Sequence, residues 1–173
     1  MGFRRLTLAN GWLFVYVYTL FIILWGAFVR ASGSGAGCGE HWPTCNGQVI
    51  PHSVSFETFI EFTHRITSGL YGIVLLAVVV WTFRSARRFD PSRGFWLKVC
   101  AVLALFFTLI EALIGARIVL AGLVADNDSL SRAVLMAIHL SNTLLLSAVI
   151  IFSHFLSRSQ KAIVSLVNVF KGW

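Results

Sequence analysis

The sequence predicts an all-α fold, an integral membrane four-helix bundle with both termini cytoplasmic, and three observations carry that prediction. The 173-residue chain is 57% hydrophobic and only 12% charged, far from the balance of a soluble domain. Its apolar residues collect in four runs, Trp12 to Val29, Phe59 to Phe83, Leu97 to Val119 and Ala133 to Phe155. Each is near the ~20 residues that a helix needs to cross roughly 30 Å of hydrocarbon. The cations alternate with the runs: Arg4 and Arg5, then Arg84, Arg87, Arg88, Arg93 and Lys98, then Arg158, Lys161 and Lys171 occupy the N-terminus, the second connection and the C-terminus. The first and third connections hold the acids Glu40, Glu57, Asp126 and Asp128, with Arg30 and Arg132 at their edges. The positive-inside rule then puts both termini and the RSARRFDPSRG connection in the cytoplasm and the first connection outside. The net charge of +7 is therefore topological and calls for no nucleic acid.

Helices are expected at about residues 12–30, 58–83, 96–120 and 133–156, in one four-helix unit over residues 1–173 with an extracytoplasmic loop at 31–56. A cleaved signal peptide competes for the first run, since ASGSGAG offers small residues, but the run exceeds a signal core of ~7–15 residues. Trp12, Trp81 and Trp96 fall where an interfacial aromatic belt is expected.

Helix 1 is almost wholly apolar up to Gly26 and reads as structural. The loop after it is rich in glycine, which permits tight turns and close backbone approach, while Trp42-Pro43 and Pro51 stiffen it into an ordered cap. Cys38 and Cys45 face an oxidising compartment, where a structural disulfide is the leading reading. A redox-active pair and a metal site with His41 stay open, although no second Cys/His pair completes four ligands. Cys100 reads as a small buried apolar residue.

Helix 2 has the strongest periodicity. Glu57, Glu61, His64, Ser68 and Tyr71 recur at intervals of three or four residues, so they share one face. Glu57 reads as a solvated residue at the helix start. Glu61, His64 and Arg65 enter the hydrocarbon, where ionisable groups are costly and demand a partner. On helix 3, Thr108, Glu111 and Gly115 share a face with Arg117 beyond them. Glu111 is an intramembrane carboxylate, read either as functional or as the partner of an arginine. Helix 4 enters from the outside with Ser131 or Asp128 as its cap. His139 lies roughly 10 Å below the outer boundary, at ~1.5 Å per residue, and His64 shares that depth.

Two imidazoles at one depth on two inward-facing helices are the geometry for axial ligation of a haem. A ligating imidazole needs an acceptor for its second nitrogen, and Asn142, Thr143 and Ser68 lie a turn away. Haem propionates need cations, and Arg65 and Arg117 are the expected partners, with snorkelling to lipid headgroups as the plainer alternative. His154 has no counterpart in helix 2 and reads as interfacial.

The run GAFVRASGSGAGCGEHWPTCNGQVIP, followed by IEFTHRITSG, EALIGARIVLAGL and AIHLSNTLLL, resembles the N-terminal half of bacterial haem A synthases. The resemblance implies a plasma (inner) membrane enzyme that oxidises a ring methyl of haem O to the formyl group of haem A for terminal oxidases. It implies axial ligation by His64 and His139, a glutamate beside the haem at Glu61, and a Cys38–Cys45 disulfide. Glu61 suits the chemistry as a proton acceptor or relay. Usual members have eight helices in two halves, the second with a haem b, whereas this match covers one half. A homodimer is therefore expected to rebuild the eight-helix arrangement, with Gly69, Gly72, Gly115 and Gly122 permitting close helix contacts. A haem O synthase and terminal oxidase assembly factors are expected partners. A bis-histidine haem b cytochrome and a non-catalytic oxidase-assembly subunit are the competing functions.

Overall fold

Each helix begins a turn before its apolar run, because a capping side chain waits there. In the computed structural model, which describes residues 7–158 except Ser53 and Asp126, four long helices appear: α1 Leu8–Ala31, α2 Phe56–Ser85, α3 Pro91–Leu120 and α4 Leu130–Ser157. Side chains of Thr7, Ser55, Asp90 and Ser129 accept from the backbone N–H groups of Asn10, Thr58, Arg93 and Arg132, each satisfying a donor that the helix leaves open. Pro91 supplies a preset φ at the first position of α3. The cap of α4 is thus Ser129, not Ser131 or Asp128: its hydroxyl lies 3.3 Å from the Arg132 amide. The expected cations Arg4, Arg5, Lys161 and Lys171 and the acid Asp126 fall outside the described residues.

All four helices are long and apolar enough to cross a membrane, and the chain is a multi-pass membrane protein. Large apolar side chains turn outward on each of them, among them Leu24, Ile73, Leu109 and Leu144. That surface suits hydrocarbon and would be costly in water.

The helices form a ring in which α1 packs on α2 and α4, and α3 on α2 and α4. Consequently α2 and α4 stand at opposite corners. The half of the bundle near the α2–α3 connection holds a dense core of Trp12, Val15, Leu75, Val78, Ala101, Ala104, Leu146 and Ile150. Trp12 is fully buried and its indole N–H donates to Thr82 at 3.1 Å. It belongs to the core and not to an interfacial belt, because α1 starts before it and carries it inside. Trp96, by contrast, is exposed. His154 lies with Nδ1 2.8 Å from the Ala9 carbonyl, tying α4 to α1 at that end.

At the other end the cysteine loop folds over the bundle. A Cβ on Gly37 would come 2.4 Å from the Glu57 backbone, so only glycine lets the loop lie this close to α2. The Gly37 carbonyl accepts from the Thr58 hydroxyl at 2.7 Å and Asn46 N–H donates to the Cys38 carbonyl at 2.9 Å. Cys38 and Cys45 are joined as a disulfide and both are buried. Cys100 is buried and unpaired, as expected.

Candidate functional site

The polar stripe of α2 turns inward except at its first member: Glu57 is exposed, Glu61 and Tyr71 are buried, and His64 and Ser68 are half-buried. Glu61, only 3% exposed, is committed on both oxygens. Its Oε2 accepts from the Cys38 N–H at 2.8 Å. Its Oε1 pairs with Arg65, one helical turn on, through Nε at 3.1 Å and through a terminal guanidinium nitrogen. Arg65 also donates to the His41 and Thr44 carbonyls at 2.6 and 2.7 Å. Of the five N–H groups on a guanidinium, one is left. Glu61 and Arg65 are therefore the rivet between helix and cap.

His64 and His139 project from helices at opposite corners. The Nδ1 atoms of both are buried without a hydrogen-bond partner among the described residues. The Cε1 and Nε2 edge of the His64 ring rests on Gly26 of α1, where a Cβ would meet it at 3.2–3.3 Å. Two further buried polar atoms lack partners, Nε1 of Trp25 on α1 and Oγ1 of Thr108 on α3. Each helix thus contributes one such atom. Counted from the helix ends beside the cap, they lie roughly 9–18 Å deep at ~1.5 Å per residue. Buried polar groups are nearly always bonded, so these exceptions single out this level as the candidate site.

The expected acceptors behind the imidazoles are not the ones present. Ser68 donates back to the His64 carbonyl at 2.7 Å, the ordinary local bond of a helical serine. Asn142 and Thr143 donate to Glu111 across the α3–α4 contact. Glu111 Oε1 in turn lies 3.3 Å from His139 Nδ1, close but without hydrogen-bond alignment. Glu111 therefore pairs with α4, not with an arginine, because α4 packs against its face of α3.

The cations at this level divide. Arg132 donates to the Asn127 carbonyl at 2.8 Å. Arg117 is exposed and lines a shallow surface hollow with Leu123, Leu130 and Val134. Trp25 went unread as a polar group in the sequence, although an indole N–H beside Gly26 in an apolar helix was the available signal. Among the described residues no three His, Cys, Asp or Glu side chains converge as a metal cluster.

Haem fits these residues: two imidazoles face inward from opposite corners, glycine makes room beside one of them, and a buried polar atom without a partner among the described residues stands on each of the other two helices. A protein named protoheme IX farnesyltransferase from Thermus thermophilus is 51% identical over 134 residues, 78% of this chain but 21% of its own length. Proteins named heme A synthase are 36% identical in Bacillus licheniformis, over 73% of this chain and 37% of theirs, and 43% identical in Lysinibacillus sphaericus, over 60% and 32%. The chain thus spans about a fifth to two fifths of the curated relatives it matches. No solved structure matches it. The family model described as cytochrome oxidase assembly protein, COX15-CtaA, matches residues 10–170, and this chain belongs to that family.

Proposed function

We propose that this chain holds a haem between His64 and His139 and, as a homodimer, oxidises the ring methyl of haem O to the formyl group of haem A for terminal oxidase assembly. The observation that carries the reading is the pair of imidazoles, His64 and His139, at one depth on opposite corners of the bundle. The relatives named heme A synthase support it, and the farnesyltransferase relative is also named for a haem.

Within this reading His64 and His139 bind the iron, and the bound haem supplies the oxidisable carbon and the redox-active centre together. Gly26 keeps the wall of α1 back from the His64 ring. Arg117, exposed at the cap end, is the principal cation for a propionate, and Arg65 has one N–H to add. Turning a methyl into a formyl adds one oxygen atom and removes four electrons to an external acceptor; with water as the oxygen source, CH3 and H2O give CHO and four protons, which must leave. Glu61, one turn from His64, is the acceptor: its carboxylate takes a proton when the pairing with Arg65 opens. The cap, riveted by Glu61 and Arg65, shields this end from water.

One observation favours a second reading, a haem b electron-transfer or assembly subunit. Glu61 bonds to Arg65 and the loop backbone and not to His64, which a purely structural carboxylate would also do. Co-expression with a haem O synthase in a host lacking haem A, followed by haem extraction, chromatography and mass analysis, separates the two. Haem A or its hydroxylated intermediate supports the synthase, unchanged haem supports the electron-transfer subunit, and a farnesylated product from protohaem without the added synthase supports prenyl transfer. Under the first reading, Glu61→Ala keeps its bound haem and loses the oxidised product, and normal product from that variant removes the assignment.

A further inference from the structure

The two imidazoles are backed unequally. Behind His64 there is no acceptor: its Nδ1 is buried and unpartnered among the described residues, and the nearby carboxylate, Glu61, is committed to Arg65 and the Cys38 N–H. Behind His139 stands Glu111, whose Oε1 is 3.3 Å from Nδ1.

Glu111 is also held from the α4 side. The Asn142 amide donates to its Oε2 and, with its other proton, to the Phe107 carbonyl at 2.9 Å. The Thr143 hydroxyl lies within bonding distance of both Glu111 Oε1 and the His139 carbonyl. Asn142 and Thr143 are buried, and all three side chains sit a turn or less from His139 along or across the α3–α4 contact. A carboxylate fixed by two donors cannot drift, so a small turn of the His139 ring is all that is needed to align the bond.

We infer that Glu111 is a positioning residue for His139: it accepts the Nδ1 proton, which fixes the tautomer and leaves Nε2 for the iron. The inference rests on the haem reading above for its consequence, but the Glu111–His139 contact can be examined without haem. An acceptor carboxylate makes an imidazole more basic and a stronger donor to a metal. His139 is thereby the stronger of the two ligands and His64 the more readily perturbed one. The inequality gives a single protomer a defined strong side and weak side.

The experiment compares the wild type with Glu111→Gln and Glu111→Ala. In the holoprotein, Glu111→Gln retains a low-spin haem whose midpoint potential moves upward, because a neutral amide withdraws less proton density than a carboxylate. Glu111→Ala lowers haem affinity by about 10–100-fold. In the haem-free protein, nitrogen-15 resonances of His139 shift in both variants while those of His64 do not. Unchanged potential together with unchanged His139 resonances overturns the inference. If the wild type binds no haem at all, the haem reading fails, and the His139 resonances still decide the role of Glu111.

Discussion

The two halves of the bundle are built from the same four helices and solve opposite problems. At the end near the α2–α3 connection, polar side chains have partners: Trp12 with Thr82 at 3.1 Å and His154 with the Ala9 carbonyl at 2.8 Å. Toward the capped end, four buried polar atoms lack one among the described residues. The first half is a packed core and the second is the candidate site, since unsatisfied buried polar groups are a cost that a packed core avoids.

The comparison predicts different failures for the two ends. The largest effect comes from His64→Ala or His139→Ala, each of which abolishes the low-spin haem absorbance while circular dichroism stays helical. Retention of the full signal in either variant breaks the assignment of that end as the site. Trp12→Ala should do the reverse, destabilising the bundle by about 3–5 kcal/mol, seen as lower resistance to denaturation in detergent, with the haem spectrum of the remaining folded protein unchanged. Next, Cys38→Ser or Cys45→Ser releases a loop closed over a separation of 7 residues, a loss of roughly 2–3 kcal/mol. Limited proteolysis should then cut residues 39–44 first. The smallest effect is expected from Gly26→Ala. Its new methyl would press on the His64 ring at 3.2–3.3 Å, a crowding relieved by a shift of a few tenths of an ångström. A displaced haem absorbance maximum with unchanged thermal stability is the expected result, and an unaltered spectrum separates Gly26 from the site.

How much was legible follows from the range of the forces involved. The helices were legible to within about a turn because hydropathy and chain length decide a membrane span locally. His64 and His139 were legible because helical periodicity and depth are both properties of one segment. What backs each imidazole was not. Ser68 lay within reach along α2 but bonds its own helix, and Asn142 and Thr143 lay within reach along α4 but bond Glu111. Arg65 looked like a free cation for an anionic ligand, yet the folded loop brings two carbonyls onto it. Trp12 was misplaced for a related reason, since a tryptophan near a span's end suits an interface or a core equally until its neighbours are known.

By itself, the order of amino acids determined four membrane-length helices, the inward polar face of α2 and the pair of histidines at one level, because hydrophobicity and the 3.6-residue repeat act within each helix. Only the tertiary structure decided that α2 and α4 occupy opposite corners, that Glu61 rivets the cap through Arg65 and that Glu111 stands behind His139. Those outcomes depend on which faces meet, and a side chain with several partners in reach takes the one that packing brings into line.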